Sequence, residues 1–326
     1  MRLIVHDNRL LGREEMCRVP PFERRNCGKF VAWRRCLYNL DSTHRLSSSI
    51  GPDPTMPELP EVETTRLGLL PHVRGQRISR VIVRECRLRW PVPPDFAPRL
   101  KGRTVIDVTR RGKYLLWDCE LGFVLSHLGM SGSLRLVRAS DPPNKHDHVD
   151  FAFDDGSAIR YTDPRRFGAM LWIPGRRTAH PLLDALGPEP LLAEFNADYL
   201  AEAARGRSVS IKEFIMNGHV VVGVGNIYAA ESLFLAGIHP KRVAGRVARV
   251  RLEKLVESIK STLAKAICAG GSSLRNYVQT SGELGYFQVN AFVYDREGLP
   301  CRRCRTPIRA VRQGQRSTFF CPSCQT

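Results

Sequence analysis

The stretch at residues 56–64 reads Met56-Pro57-Glu58-Leu59-Pro60-Glu61-Val62-Glu63-Thr64. We predict that a helix begins within it and runs to about His72. Pro60 falls in the first turn, where a missing N–H costs nothing, and the acidic residues beside it suit the positive end of the helix dipole. The pattern is typical of a well-capped helix, with Pro57 and Glu58 at its entrance.

The composition is that of a globular protein with a strong preference for polyanions. The 326 residues include 50 Lys and Arg against 32 Asp and Glu, a net charge of +18, and 43% hydrophobic residues. This length predicts two or three domains. The charge favours nucleic acid or an acidic membrane surface as a partner, although a solvated basic surface would have the same composition. No run of about 18 apolar residues is present, which argues against a membrane-spanning helix.

Residues 1–55 differ from the rest of the chain. They carry ten basic and six acidic residues, three cysteines and no sustained periodicity, and residues 47–55 have the composition of a linker. A transit peptide would be poor in acidic residues and a secretory signal would have an apolar core, so neither fits. We interpret the segment as disordered or not translated, with Met56 as the true start of a 271-residue protein (326 minus 55).

This start would give Pro57 unusual chemistry. Removal of Met56 would leave the proline with a free secondary amine, and a typical α-amine, with a pKa of about 7.8, is about one quarter neutral at pH 7.4. Such an amine can condense with C1′ of deoxyribose, and the iminium ion formed permits β-elimination of the phosphate. Glu58 is placed to transfer protons. If residues 1–55 are retained, Pro57 is a tertiary amide without a nucleophilic nitrogen.

Four of the ten cysteines form two close pairs near the end of the chain, Cys301 with Cys304 and Cys321 with Cys324. This spacing predicts one structural Zn²⁺ with four thiolate ligands and no open position, rather than disulfides of a secreted tail, and we expect no organic cofactor. The remaining cysteines are scattered, which favours a reducing compartment. Arginines between the two pairs suit phosphate contact.

The rest of the chain divides into a strand-rich part and a helical part. Short alternating segments predict a β-sandwich with strands at residues 78–83, 105–109, 114–118, 123–128, 134–137, 149–153 and 159–162. Beyond a break at residues 187–190, helices are predicted at residues 197–205, 211–217, 226–236 and 247–269. Residues 223–226 are a glycine-rich approach to a helix, which we expect to present N–H groups to a DNA phosphate.

The stretch at residues 56–64 resembles the start of the bacterial formamidopyrimidine-DNA glycosylase family, and later motifs match in order and spacing through residues 56–326. The resemblance implies an α+β multidomain fold: a catalytic β-sandwich with a flanking helix (56–187), a helix-two-turn-helix domain (188–290) and a zinc-finger β-hairpin (291–326). It also implies a cytoplasmic, nucleoid-associated and monomeric enzyme of base excision repair that acts on double-stranded DNA. The expected activity is that of a bifunctional glycosylase and AP lyase. It removes 8-oxoguanine opposite cytosine and formamidopyrimidines through a Schiff base, followed by β,δ-elimination.

The same resemblance assigns residues one by one. The implied catalytic residues are Pro57, Glu58, Lys113 and Arg316, the last two as phosphate ligands. The implied DNA contacts are His127, Met130, His146, Arg165, Phe167, Arg207, Lys212 and Asn226. Among these, Met130 and Phe167 would wedge into the base stack, and Arg165 would pair with the orphaned base. Residues 280–287 resemble the family's mobile cap over the flipped base.

Two other functions remain open from the sequence. A damaged-DNA-binding protein without catalysis would follow if residues 1–55 are retained. An endonuclease VIII-like glycosylase for oxidised pyrimidines is disfavoured by Leu59, where that sister family usually has glycine, and by the Arg165 and Phe167 loop.

Overall fold

The computed structural model describes residues 57–175, 180–271 and 291–326. Residues 1–55 and the predicted cap at 280–287 lie outside the described residues. Two four-stranded antiparallel sheets form the first part, with strand orders β1-β6-β7-β5 and β2-β3-β4-β8. Their strands are β1 (Ile78–Val83), β2 (Asp107–Arg111), β3 (Tyr114–Asp118), β4 (Gly122–His127), β5 (Ser133–Arg138), β6 (Asp147–Phe153), β7 (Ser157–Thr162) and β8 (Ala169–Pro174).

The two sheets pack face to face, as expected for a β-sandwich. Trp117 of β3 stacks on Phe151 of β6 with ring centroids 5.3 Å apart, so aromatic rings from both sheets meet in one core. Strand β6 is buried along its whole length. The seven predicted strands are present with small shifts at their ends, whereas β8 was not predicted. Its sequence is a continuous apolar run, and such a run does not reveal by periodicity whether it forms a strand or a buried helix.

Helix α1 (Leu59–Val73) contacts both the sandwich, at β2, and the long helix α7 (Arg249–Cys268). Its first turn is capped as the sequence predicts, because the Glu61 carboxylate accepts the Glu58 N–H at 2.9 Å. The helix buries residues on its apolar side and also its acidic N-terminal turn. It is therefore shared between the two larger parts of the molecule.

The second part is helical, as predicted, with α4 (Ala197–Ala204), α5 (Ile211–Met216), α6 (Asn226–Leu235) and α7. Helix α6 is buried on nearly every side, which makes it the centre of this part. Two short helices, α2 (Phe96–Leu100) and α3 (Pro181–Asp184), were not predicted. No helix among the described residues is long and apolar enough to cross a membrane.

A β-hairpin of β9 (Arg309–Gln313) and β10 (Arg316–Phe320) closes the chain. Gly314 and Gln315 form its turn, both with positive φ (54° and 63°). Two positive φ angles are typical of the tight turns that match the twist of a hairpin. The observed order of elements agrees with the predicted α+β multidomain fold.

Arg110 connects the sandwich to the helical part. Its guanidinium bridges Glu63 of α1 and Glu189, with N–O distances of 2.8 Å to each, and all three side chains are at most 13% exposed. Glu189 also accepts the Gly112 N–H at 2.6 Å. A cation held between two carboxylates at low exposure is a sensitive point, because removing it takes one partner from each of them and leaves only Arg66 beside Glu63 and Arg111 beside Glu189.

We therefore expect Arg110→Ala to lower the free energy of unfolding by about 3 kcal/mol. The matched control is Arg99→Ala, whose ion pair with Asp95 has both side chains half exposed and should contribute less than about 1 kcal/mol. Chemical denaturation of the two variants measures the difference. Equal losses would show that the Arg110 bridge does not hold the two parts together.

Candidate active site and DNA-facing loops

Glu58 lies at the junction of the sandwich and the helical part, with its side chain 2% exposed. Its carboxylate accepts the Gly225 N–H at 2.8 Å and the Ile227 N–H at 3.1 Å, and so caps the N-terminus of α6. Burial raises the pKa of the Glu58 carboxyl to about 7, although the nearby Lys113 ammonium and the two N–H donors oppose the shift. A group with this pKa can both give and take a proton near neutral pH.

The expectation that residues 223–226 present their N–H groups to a DNA phosphate is wrong for Gly225. An internal carboxylate takes the position that a phosphate would occupy, for the same electrostatic reason. A Cβ on Gly225 would overlap the Glu58 carboxyl group, and a Cβ on Gly223 (φ +80°) would lie 2.5 Å from the Leu59 Cβ. The glycines are therefore required by the close approach of the helix α1 entrance.

Pro57 is buried beside this carboxylate. The adjoining backbone is fixed, because the Leu59 N–H donates to the Gly223 carbonyl at 3.1 Å. Behind it, the Tyr228 hydroxyl donates to Glu61 at 2.6 Å. The backbone beside Pro57, the residue predicted as the nucleophile, is thus held by contacts from both parts of the molecule.

Lys113 is at the tip of the β2–β3 hairpin and close enough to Glu58 and Arg316 for their charges to act on it. Burial lowers the pKa of its ammonium, the neighbouring Glu58 charge opposing that change. The tip itself leans on the helical part, since a Cβ on Gly112 would lie 3.1 Å from the Val222 side chain. The hairpin tip in this way keeps Lys113 in the neighbourhood of the Glu58 carboxylate.

Arg316 is exposed at the start of β10 and follows the hairpin turn. The next residue, Ser317, is anchored by two side chains of the helical part. Its carbonyl accepts the Lys212 Nζ at 3.2 Å and the Asn226 Nδ2 at 3.1 Å. Lys212 donates further to the Thr318 hydroxyl at 2.6 Å and is 1% exposed. The two residues predicted as DNA contacts therefore hold the hairpin in place, and their role toward DNA stays a prediction.

The four cysteine sulfurs lie within 4.8 Å of one another, the only group of three or more possible metal ligands in the part of the chain that is described. Cys301 and Cys324 are 3.9 Å apart at sulfur, and Cys304 and Cys321 are 3.4 Å apart. A disulfide would require about 2.05 Å. Thiolates at about 2.3 Å from a tetrahedral zinc are about 3.8 Å apart, so the four residues fit one Zn²⁺.

His127 is the best defined of the predicted DNA contacts. Its Nδ1 accepts the Gly129 N–H at 3.0 Å, which leaves Nε2 as the protonated nitrogen of the neutral ring. Burial, together with the charges of Lys113 and Arg89, lowers its pKa to about 4. At neutral pH His127 can therefore offer DNA a neutral N–H donor and not a positive charge.

Two adjacent loops carry the predicted wedge residues. Met130 is half-buried, and Phe167 is 42% exposed with the Arg165 guanidinium 5.0 Å from its ring centroid. Arg165 is exposed as well. The structure thus places on adjacent loops the two predicted wedges, Met130 and Phe167, and Arg165, which was predicted to pair with the orphaned base.

Two predicted DNA contacts remain, His146 and Arg207. His146 is half-buried beside His148, with ring centroids 6.4 Å apart, and His148 bonds the Asp163 carbonyl at 2.7 Å through Nε2. Arg207 is exposed at the end of α4, where its Nε donates to the Ala203 carbonyl at 3.4 Å.

Three residues near these sites were missed by the sequence reasoning. Arg89 donates its N–H to the Arg166 carbonyl at 2.8 Å and its charge reaches His127. Glu61 and Asp163 are fully buried carboxylates that accept hydrogen bonds next to functional segments. Arginine-rich sequence surrounds Arg89, and no local pattern distinguishes it; for Asp163, the adjoining Pro-Arg-Arg-Phe-Gly motif was the available signal.

Known proteins match the chain along most of its length. Family models for the N-terminal domain of formamidopyrimidine-DNA glycosylase, for its helix-two-turn-helix domain and for the zinc finger found in FPG and IleRS match residues 56–170, 186–278 and 298–326. The chain belongs to the formamidopyrimidine-DNA glycosylase family. The predicted class, a DNA glycosylase of base excision repair with a zinc finger, is thereby confirmed.

Similar members of this family include the formamidopyrimidine-DNA glycosylases of Thioalkalivibrio sulfidiphilus, 58% identical over 270 residues, and Burkholderia thailandensis, 55% identical over 276 residues. Each match covers 83% of this chain and 100% of the relative. The crystal structure of MutM (Fpg) from Thermus thermophilus matches with a TM-score of 0.75 at 36% identity, covering 82% of this chain and 98% of the other.

Lactococcus lactis Fpg is similar in two DNA complexes. The complex with DNA containing Fapy-dG matches with a TM-score of 0.77 at 34% identity and covers 82% of this chain and 100% of the other. The complex with DNA containing an abasic site has the same TM-score and identity and covers 82% and 99%.

The contact between Gly225 and Glu58 gives a direct test of the site. We expect Gly225→Ala to displace the Glu58 carboxylate and to lower base excision at least about 100-fold, the usual contribution of a positioned acid or base. Gly218→Ala is the control, since the nearest atom to its added Cβ would be 3.8 Å away. Single-turnover excision measures both, and unchanged excision by Gly225→Ala would contradict this geometry.

Zinc is expected to hold Arg316 in place. Cys304→Ser should lose the metal and with it strand cleavage and tight binding to an abasic-site duplex, because small zinc modules fold only with their metal. Cys268→Ser, at another exposed cysteine, should keep one zinc and full cleavage. Metal analysis and gel-based cleavage provide the two readouts. A Cys304→Ser protein that binds no zinc yet cleaves normally would disprove the link to Arg316.

Proposed function

We propose that this chain removes oxidised purines, 8-oxoguanine and formamidopyrimidines, from double-stranded DNA and then cuts the backbone at the emptied site. The observation that carries the proposal is the meeting of three chain segments beside Pro57: Glu58 with its pKa near 7, Lys113 and Arg316. The names of the relatives and the Fapy-dG and abasic-site DNA in the Lactococcus lactis complexes support the substrate class.

The nucleophile in this proposal is the nitrogen of Pro57. It must be a free amine, so the active enzyme begins at Pro57. The matched relatives, which are covered in full by 83% of this chain, support this start. The nitrogen attacks C1′, the bond to the base breaks, and the base leaves with a proton. Loss of the N–H proton and opening of the sugar ring give an iminium ion that withdraws electrons from C2′.

Glu58 manages the protons of these steps. Its pKa of about 7 means that protonated and ionised forms are both present at neutral pH. The protonated form can supply the proton that the ring opening consumes, and the ionised form can take a proton from C2′. Removal of that proton expels the 3′ phosphate, and a second elimination expels the 5′ phosphate, which leaves a one-nucleotide gap.

Two cations hold the phosphates on either side. Lys113, on the β2–β3 hairpin, and Arg316, on the zinc hairpin, lie close enough for their charges to interact beside Glu58, and we expect them to bind the phosphates that flank the reacting sugar. Arginine can bind a phosphate with two parallel hydrogen bonds, which fixes orientation as well as charge. We also propose that the enzyme acts as a monomer in the cytoplasm, where it binds the DNA of the nucleoid.

The wedge loops complete the mechanism. Extrusion of a nucleotide costs a few kcal/mol of stacking and pairing. Side chains inserted into the stack can restore part of this energy. Met130, Arg165 and Phe167 are the residues that would enter the vacated space, and His127 would contact the backbone with its neutral N–H.

The nucleophile is tested by trapping. Incubation with an 8-oxoguanine duplex and borohydride should yield a covalent protein–DNA adduct at Pro57, and Pro57→Gly should lose most of it. Pro143→Gly, an exposed proline, is the matched control. Intact-mass analysis of the natively expressed protein should show Pro57 as the first residue. A protein that retains residues 1–55, binds tightly and forms no adduct would instead be a damaged-DNA-binding protein.

The role of Glu58 is tested by pH. We expect excision by the unchanged protein to be bell-shaped in pH, because the Pro57 amine must be neutral while Glu58, with its pKa of about 7, must be protonated; loss of the Glu58 proton produces the falling limb at higher pH. Glu58→Gln should be slower by about 100-fold or more and should lack this pH limb. Stability depends on pH with the same sign. The raised pKa of Glu58 contributes fully to the free energy of unfolding below about 4.5, the pKa of the carboxyl in the unfolded chain, and this contribution is lost as pH rises through about 7. If excision by Glu58→Gln still falls at high pH as it does in the unchanged protein, the fall belongs to the titration of another group.

A further inference from the structure

The wedge residues stand on two loops that share one buried carboxylate. Asp163 is 0% exposed at the end of β7. Its Oδ1 accepts the Ser131 hydroxyl at 2.8 Å, and its Oδ2 accepts the Tyr161 hydroxyl and the Gly168 N–H, both at 2.9 Å. The Arg165 N–H lies 3.3 Å from both Asp163 Oδ1 and Ser131 Oγ. The carboxylate therefore closes the loop 163–168 on itself and ties it to the neighbouring loop.

The two loops are also in close backbone contact. A Cβ on Gly129 (φ +66°) would lie 2.5 Å from the Phe167 carbonyl carbon, and a Cβ on Gly168 would overlap the Tyr161 hydroxyl. Arg166 adopts φ +56°, an unfavourable angle for a side chain of its size. Such a backbone persists only when its surroundings hold it. The hydrogen bonds of the Asp163 carboxylate supply much of that support, together with the Arg89 N–H that donates to the Arg166 carbonyl at 2.8 Å.

The charge of Asp163 is satisfied by neutral donors. No ion pair to it is found within residues 57–175, 180–271 and 291–326, and four N–H or O–H groups point at its two oxygens. A buried carboxylate without its donors would cost several kcal/mol, so the donors and the loops that carry them are strongly fixed by it. Met130, Arg165 and Phe167 each lie within two residues of a group that this network holds.

We propose that Asp163 is a positioning residue that makes Met130, Arg165 and Phe167 one rigid insert. A preorganised insert enters the base stack without an additional ordering cost. The residue thereby sets the efficiency of nucleotide extrusion and the reading of the base opposite the lesion. This inference rests on the proposed glycosylase function, and it concerns the step before chemistry.

The test compares a substrate that needs the insert with one that does not. The first is 8-oxoguanine opposite cytosine in a full duplex. The second is a preformed abasic site opposite a missing base, where neither an extruded base nor an orphaned partner remains. Asp163→Asn replaces one acceptor oxygen by an N–H₂ group, which cannot accept the hydrogen bonds that this oxygen receives. We expect single-turnover excision from the first substrate to fall about tenfold to 100-fold, and lyase cleavage of the second to stay within about threefold.

A second readout is independent of chemistry. A 2-aminopurine next to the lesion reports unstacking by its fluorescence, which should rise more slowly or less in Asp163→Asn. The preference for cytosine over adenine opposite the lesion should narrow in the same variant. Asp155→Asn, an acidic residue in an exposed turn that bonds Ser157, is the matched control and should behave as the unchanged protein in every assay.

Ser131→Ala keeps the test decisive if Asp163→Asn does not fold. It removes one donor and the connection between the loops but leaves the buried charge, and it should narrow the opposite-base preference several-fold with the lyase rate retained. Equal losses on both substrates, or full retention of extrusion and preference in Ser131→Ala and any folded Asp163→Asn, would overturn the proposal. If the unchanged protein forms no borohydride adduct, the proposed function itself fails, which is a different result.

Discussion

The structure depends on one ion–dipole contact, between the Glu58 carboxylate and the N-terminus of α6. Two backbone N–H groups and the positive end of the helix dipole stabilise the ionised carboxylate, while burial favours its protonated form. The balance leaves a pKa near neutrality at the place where the proposed mechanism requires proton transfer. The same contact joins the sandwich to the helical part, since Glu58 precedes α1 and Gly225 precedes α6. The interaction that sets the pKa of Glu58 is thus also the one that joins the two parts of the molecule.

Other elements converge on this point through main-chain contacts. The tip that carries Lys113 is held by Glu189, which accepts the Gly112 N–H, and the hairpin that carries Arg316 is held at the Ser317 carbonyl. In both cases a main-chain contact fixes the residue next to the side chain that is predicted to bind phosphate. Zinc performs the corresponding task for a segment too short to bury a core of its own.

The sequence was sufficient for most element types and for the zinc ligands, because each has a local signature: alternation, helical periodicity and paired cysteines. The catalytic roles of Pro57, Glu58, Lys113 and Arg316 stay predictions. The sequence was not sufficient for contacts between distant segments. The amides near Gly225 satisfy a carboxylate 167 residues away and not a ligand, and Lys212 turns inward to a strand 106 residues away. Strand β8 was missed because its uniform apolarity has no period, and Asp163 because a buried acceptor resembles any loop aspartate in sequence.

The attachment of the zinc hairpin at position 317 uses a carbonyl oxygen that every amino acid possesses. The side chain at position 317 can consequently be substituted without loss of this contact. The donors at positions 212 and 226 cannot, because a replacement would be too short to reach the carbonyl or would lack the N–H group. Mutational tolerance should therefore be uneven: permissive at position 317 and narrow at positions 212 and 226 on the helices behind it. Position 317 is therefore a place where the surface of the hairpin can be changed, for example to alter DNA affinity, without displacing Arg316.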